Sequence, residues 1–236
     1  FATLVEGMDK SLGDIMDHLE DLGIAENTLI FFLGDNGSDA PLGHEKGHFS
    51  SFPLRGKKGA EYEGGVRAPL LVSWGKPNDK NDIQRKLPIK QQAIQTQLAT
   101  VMDIYPTVLY MTDIDNSDNH IIDGFNLRKQ LTGKTNKKRS ESFLMHFPHE
   151  HRGSYFTSFR QNEWKVIYWY NPETPNKPTY ELYNLAVDPF ERNDLAAIEK
   201  SKLKEMIRYM AKQLLQEGAL YPEDIQGNII MPIIPH

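Results

Sequence analysis

Phe1, Leu4, Val5, Met8, Leu12, Ile15, Met16 and Leu19 recur at three- and four-residue steps, with charged residues between them. That period predicts an amphipathic helix of about six turns. The pattern is already running at the first residue, with no capping Ser, Thr, Asp or Asn ahead of it, so the chain reads as a piece of a longer protein. Gly23 ends the helix, and Thr28 to Leu33 is a continuous apolar and β-branched run of strand length. Apolar on both faces, it predicts a central parallel strand covered by helices. The run stops at Gly34-Asp35-Asn36-Gly37, which places a carboxylate and an amide at the strand's C-terminal end, the edge where open α/β sheets bind ligands.

From Ser38 to Gly65 no period is visible and Gly, His, Lys and Ser abound, the mark of a long functional surface loop. Val66 to Trp74 returns to strand character, with Pro69 suited to the strand's start. Asp103 is placed to cap a helix from Ile104 to about Met111. Polar sequence then runs to a boundary near Gly133 to Arg139, dividing the chain into residues 1–135 and 136–236. Beyond it come short strands at Ser142–Phe147, Tyr155–Arg160, Trp164–Tyr170 and Tyr180–Leu185, the last two separated by Pro172, Pro175, Asn176 and Pro178 as in an antiparallel hairpin with a wide loop. Leu203, Met206, Ile207, Met210, Leu214 and Leu215 mark a helix from about Ser201 to Glu217, one face of which should cover that sheet. Tyr221 to His236, apolar but carrying three prolines, should lie extended against the body. The fold class is α/β, with a parallel-sheet part followed by a small antiparallel-sheet subdomain.

Composition narrows the classes. Of 236 residues, 25% are charged and 39% hydrophobic, with no apolar run near the ~20 residues a membrane span requires and no charge block that signals long disorder. The formal charge of −5 gives no basic footprint for nucleic acid; Lys137, Lys138 and Arg139 read as a solvated loop. Cysteine is absent, which removes disulfides, thiolate metal sites and cysteine nucleophiles together.

Two segments carry candidate chemistry. Asp35 and Asn36 offer the hard oxygens that Ca²⁺ or Mg²⁺ prefers, although Asp-Asn-Gly also forms ordinary turns. Leu54-Arg55-Gly56-Lys57-Lys58-Gly59, followed by Tyr62-Glu63-Gly64-Gly65-Val66-Arg67-Ala68-Pro69, combines glycines that permit close backbone approach with lysines suited to an oxyanion. Its spacing is not that of a Walker loop.

Together these segments resemble the second half of the catalytic domain of the type I sulfatases, sulfate-ester hydrolases of the alkaline phosphatase-like superfamily. The resemblance continues in order through Asp103-Ile104-Tyr105-Pro106-Thr107, Asp123-Gly124-Phe125-Asn126-Leu127, Glu181-Leu182-Tyr183-Asn184-Leu185, Asp188-Pro189-Phe190-Glu191 and Asn193-Asp194-Leu195-Ala196. It implies that Asp35 and Asn36 are two ligands of a divalent cation, usually calcium, with magnesium the alternative. It also implies that Lys58, with Lys57 as neighbouring candidate, is the lysine that contacts substrate sulfate. Gly34 departs from the family's usual Ser or Thr.

The resemblance further implies a formylglycine nucleophile made from Cys or Ser in a Cys/Ser-x-Pro-x-Arg signature. That signature, the other metal carboxylates and the leaving-group histidine are expected upstream of Phe1, so this chain is expected to lack its nucleophile and to be inactive alone. The implied partners are a sulfated small molecule or carbohydrate and the missing N-terminal half; the implied location is periplasmic or secreted.

His146-Phe147-Pro148-His149 resembles a family segment near the substrate pocket, so His146 and His149 are either substrate contacts or a polar strand end. His44 and His48 read as solvated loop residues or pocket-mouth ligands. Trp164, Tyr168, Trp169 and Tyr183 read as packing, and Arg55 and Arg67 as partners of acidic neighbours. The alternatives are a phosphodiesterase or phosphonate hydrolase of the same superfamily, and a non-catalytic interaction domain.

Overall fold

In chain order the elements are α1 (Ala2–Asp21), β1 (Leu29–Leu33), α2 (Glu63–Val66), β2 (Leu70–Trp74), α3 (Asp82–Lys86), α4 (Ile104–Thr112), α5 (Arg128–Leu131), β3 (Ser142–His151), β4 (Ser154–Gln161), β5 (Trp164–Trp169), β6 (Tyr180–Asn184) and α6 (Lys200–Gln216). The structure is a computed structural model that describes residues 2–39, 51–117, 120–151, 154–170, 179–224 and 226–235. Two compact units emerge: one of Phe1–Asp35 and Pro69–Ser140, the other of Asn36–Ala68 and Glu141–His236. No helix among the described residues is long and apolar enough to cross a membrane.

In the first unit, α1 has the predicted extent, and Gly23 ends it with a φ of 70° that a glycine adopts without steric penalty. Its apolar stripe contributes no buried residue, and Leu4 is 77% exposed. β1 pairs with β2 antiparallel, Leu29 opposite Trp74 and Leu33 opposite Leu70. This corrects the parallel arrangement expected for β1. The chain leaves at Gly34 and returns at Pro69 to the same end of the pair, where the Gly34 N–H donates to the Pro69 carbonyl at 3.0 Å. A continuous apolar run reports burial on both faces of a strand; it does not report the sense of the neighbour.

Asp103 also acts differently from the expected cap. Its carboxylate makes no cap bond to α4; it accepts from the Thr100 N–H at 2.7 Å and the Phe125 N–H at 2.8 Å, and pairs with Arg139 at 2.9 Å. Arg139 is therefore a buried partner of a fully buried acid, not part of a solvated basic loop.

The second unit is built on a four-stranded antiparallel sheet in the order β3-β4-β5-β6. On one face Phe159, Val166, Tyr168 and Leu182 meet Leu203, Met206, Ile207, Met210 and Leu214 of α6, as the helical period requires. Leu215, expected on the same stripe, is 73% exposed, because it lies one residue past the buried Leu214 and so about 100° around the helix. On the other face Phe156, Ile167, Trp169 and Tyr183 form a second cluster, joined by Tyr62. The aromatics assigned to packing are packed. The tail is not extended throughout: it doubles back through an antiparallel bridge between Glu223 and Ile229, with the Ile230 N–H donating to the Pro222 carbonyl at 2.9 Å, before the Tyr168 and Tyr180 hydroxyls donate to the Met231 and Ile233 carbonyls. The turn residues Pro172, Pro175, Asn176 and Pro178 lie outside the described residues.

This packing separates two neighbouring α6 positions. Ile207→Ala, at a site with no exposed surface, should lower unfolding stability by about 2–5 kcal/mol. Leu215→Ala should stay within about 0.5 kcal/mol of the parent. Urea midpoints measure both, and equal losses would mean that α6 does not cover the sheet in this register.

Candidate functional site

The turn after β1 carries Asp35, which is exposed, and Asn36, which is half-buried. No described hydrogen bond or ion pair engages the Asp35 carboxylate or the Asn36 amide, so their oxygens are open to a hard cation. They are a partial set: among the described residues no group of three His, Cys, Asp or Glu comes together to hold a metal.

Asn36 to Ala68 belong to the second unit, and backbone hydrogen bonds join the turn to the lysine loop, beside the Lys57–Asp39 ion pair. The Gly37 N–H donates to the Gly65 carbonyl at 2.8 Å, and the Lys58 N–H to the Ser38 carbonyl at 3.3 Å. A Cβ on Gly37 would lie 1.9 Å from the Gly64 carbonyl oxygen, and one on Gly65 would lie 2.1 Å from the Ala60 oxygen. These glycines serve close approach, as the sequence suggested, but the approach is of backbone to backbone.

Two charge clusters, one buried and one built on the buried Glu181, fasten this loop to the sheet. In the first, Lys165 of β5, only 2% exposed, stands 3.0 Å from Glu63 and 2.8 Å from Glu191. Glu191 also accepts the Glu63 N–H at 2.7 Å, which ties α2 to the sheet. Burial pushes the Glu191 carboxyl above its ordinary range, and the nearby Glu63 charge adds to this against the pull of Lys165.

In the second cluster, Glu181 of β6 accepts from the Tyr62 and Tyr183 hydroxyls and from Trp169 Nε1. Arg55 donates to the same two hydroxyl oxygens at 2.8 and 2.7 Å and to the Glu191 carbonyl at 3.1 Å, and its guanidinium lies 3.7 Å from the centre of the Tyr62 ring. Burial first, and Glu181 with it, raises both tyrosines above the phenol range, so they remain protonated donors. Arg55 is thus the structural partner of acidic neighbours that its sequence position suggested.

Of the two lysines, Lys57 pairs with Asp39 at 2.8 Å, and Lys58 is exposed at the turn. The histidines are not brought together. His146 has both ring nitrogens engaged, Nδ1 with Thr157 Oγ1 at 2.7 Å and Nε2 with the Leu220 carbonyl at 2.6 Å. Since a carbonyl only accepts, Nε2 carries a proton, and the ring pins the start of the tail. His149 lies within an irregularity of β3 between Phe147 and His151, its ring 5.4 Å from that of Phe147. His44 and His48 lie outside the described residues.

Ser51-Phe52-Pro53-Leu54-Arg55 fits the letters of the nucleophile signature, which corrects the expectation that the signature occurs only upstream of Phe1. The structure occupies both of its chemical positions otherwise. The Ser51 hydroxyl donates to the Gly56 carbonyl at 2.8 Å, and Arg55 is spent on Tyr62, Tyr183 and Glu191. The pentapeptide is the entry turn of the lysine loop.

Comparison with known proteins agrees with this architecture. The Sulfatase family model matches residues 1–114. Steryl-sulfatase of Mus musculus is 31% identical over 180 residues, covering 73% of this chain and 26% of that protein. N-acetylgalactosamine-6-sulfatase of Homo sapiens is 25% identical over 248 residues, covering 97% and 45%. The crystal structure of Ps i-CgsB in complex with k-i-k-neocarrahexaose superimposes with a TM-score of 0.66 at 26% identity, covering 94% of this chain and 45% of that one. The fold is thus that of the C-terminal part of an alkaline phosphatase-like enzyme. The chain belongs to the type I sulfatase family and spans less than half the length of these relatives.

The Lys165 cluster predicts a pH dependence. An acid whose folded pKa is raised holds its proton more tightly in the native state, so Glu191 contributes stability at low pH that fades as pH rises from its unfolded value through the raised one. Glu191→Gln should flatten that part of the stability–pH curve, read from urea midpoints across acid to neutral pH. Lys165→Met should cost about 3–5 kcal/mol near neutral pH by leaving Glu63 and Glu191 facing each other unneutralised; an unchanged slope or a small loss would show that the three groups do not interact as described.

Proposed function

We propose that the protein carrying this chain hydrolyses sulfate monoesters, with a carbohydrate as the alcohol. The observation that carries the reading is the lysine loop. A cationic turn held by two charge clusters is tied through the Lys58 N–H to Ser38, two residues beyond Asn36 and three beyond Asp35. N-acetylgalactosamine-6-sulfatase among the relatives, and neocarrahexaose bound to Ps i-CgsB, support a carbohydrate.

Asp35 and Asn36 would hold Ca²⁺, or Mg²⁺, with the remaining ligands supplied by other parts of the protein. When bound, the cation supplies positive charge to sulfate oxygens. Lys58 binds the same group: its ammonium is a compact point charge that neutralises a transferring oxyanion without needing bidentate geometry. Lys57, which pairs with Asp39, is the neighbouring candidate. His149 remains the candidate contact to a sugar hydroxyl, and His146 joins it only if substrate displaces its bond to Leu220. The nucleophile, a formylglycine, would come from a segment upstream of Phe1, so this chain by itself would not turn over.

The test uses the full-length protein, matured by a formylglycine-generating enzyme and assayed on an aryl sulfate, on N-acetylgalactosamine 6-sulfate and on a steroid sulfate. Lys58→Ala should lower kcat/KM by about 10²–10³-fold, and Lys57→Ala should change it little. The sugar sulfate should be preferred to the steroid. Lys58→Ala turning over at the parent rate would sink the role given to this lysine. Peptide mass spectrometry showing the Ser51 side chain oxidised to an aldehyde would overturn the placement of the nucleophile upstream.

A further inference from the structure

The charge pattern of α6 runs against the rules that stabilise a helix. Its apolar face is fully used against the sheet. On the flank away from that face, Lys200, Lys204, Arg208 and Lys212 follow one another at four-residue steps, each about 6 Å further along the axis. Among the described residues none of the four has an ion-pair partner, whereas the neighbouring Lys202 pairs with Glu205 and lies over the Trp164 ring.

Like charges at this spacing repel. The first turn holds lysines and no acid, and the last turn holds no base, the reverse of what the helix dipole favours. The Glu199 side chain at the N-cap makes no capping bond. Local rules broken together on one flank, without an internal partner, mark a surface shaped by something outside the fold.

Beside this row lies a surface groove of about 480 Å³ lined by Ser201, Lys204, Glu205, Arg208 and Tyr209. Tyr209 is 43% exposed and offers an apolar ring face. Glu205 and Ser201 offer acceptors for hydroxyl groups, and Lys204 and Arg208 offer cations. An aromatic face, hydroxyl acceptors and a linear row of cations match a sugar chain with repeated anionic substituents. The overall charge of −5 disfavours duplex nucleic acid, which a protein attracts by a wide basic field.

We propose that this flank of α6 is an exosite for a sulfated polysaccharide, which holds the polymer while one of its residues is presented for hydrolysis. The choice of sulfate as the anion rests on the hydrolase reading above; the existence of the cationic site does not.

Binding of the full-length protein to heparin tests it. Lys204→Glu/Arg208→Glu should weaken the Kd by at least about tenfold and lower the slope of log Kd against log salt by about two. The gentler Lys204→Gln/Arg208→Gln should move both in the same direction with an unchanged circular dichroism spectrum. Unsulfated hyaluronan should bind much more weakly. Parent-like binding by both double variants would overturn the proposal. So would equally tight binding of duplex DNA or of phosphatidylserine vesicles to the parent. If no sulfate ester is hydrolysed yet heparin binding still depends on Lys204 and Arg208, the exosite stands and the hydrolase reading falls.

Discussion

The second unit is organised around one buried ammonium. Lys165 is the second residue of a strand whose other members are Trp164, Val166, Ile167, Tyr168 and Trp169, with only 2% of its surface exposed. Such a cation is tolerated only with carboxylates against it. It draws one from α2, 102 residues earlier in the chain, and one from Glu191, 26 residues later. Buried ion pairs are weak sources of net stability, because desolvation offsets most of the attraction. What they restrict is the set of arrangements: shifting the loop so that Glu63 leaves Lys165 would strand a charge in a dry interior. The 36–68 segment is therefore held in one position on the sheet by electrostatic exclusion more than by attraction.

Around that point the second cluster adds direction. Glu181 can accept several hydrogen bonds, and Tyr62, Tyr183 and Trp169 supply the donors, while Arg55 completes the hydroxyls' remaining acceptor capacity. A network with every member satisfied is rigid, and a partly satisfied one is costly. Rigidity is what a lysine loop needs if its ammonium is to meet an oxyanion without reorganising. Stiffness on the side facing the sheet also explains the glycines at 37 and 65: with the loop fixed from behind, its strands of backbone must meet in front at distances that leave no room for a Cβ.

Periodicity carried most of the fold. The 3.6-residue repeats of α1 and α6 and the short apolar runs of β3 to β6 appear where the spacing puts them, within a residue or two, except that β3 runs on to His151. The open oxygens of Asp35 and Asn36 and the order of the motifs were legible too, since both are local. The partnerships were not. Nothing between Glu63 and Lys165 in the sequence couples them, although a single lysine inside Trp-Lys-Val-Ile-Tyr-Trp is itself a sign that a buried acid must exist somewhere. The same holds for Asp103 and Arg139. Read locally, one was a helix cap and the other a surface charge; burial made each the other's partner. The sense of β1 against β2 failed for a related reason, because strand direction depends on where the chain returns and not on the strand's own residues. Ser51 to Arg55 shows the opposite hazard, a motif matched in letters whose side chains the fold has already committed elsewhere.

α1 and α6 show how little an amphipathic pattern decides by itself. Both carry a clear apolar stripe and nearly equal length. α6 buries five side chains of its stripe against a sheet that the same unit supplies, and α1 buries none. Most helical stability in proteins comes from packing of the apolar face, since propensity alone leaves a helix of this length marginal in water. α1 thus lacks, among the described residues, the surface that would hold it. Leu71 of β2, 60% exposed, shows the same lack on the neighbouring sheet. The same unit thus carries exposed apolar residues on both a helix and a strand. The second unit has no such deficit. Its core is closed on both faces of the sheet, and Lys165, Glu181 and Glu191 of the same unit position the lysine loop.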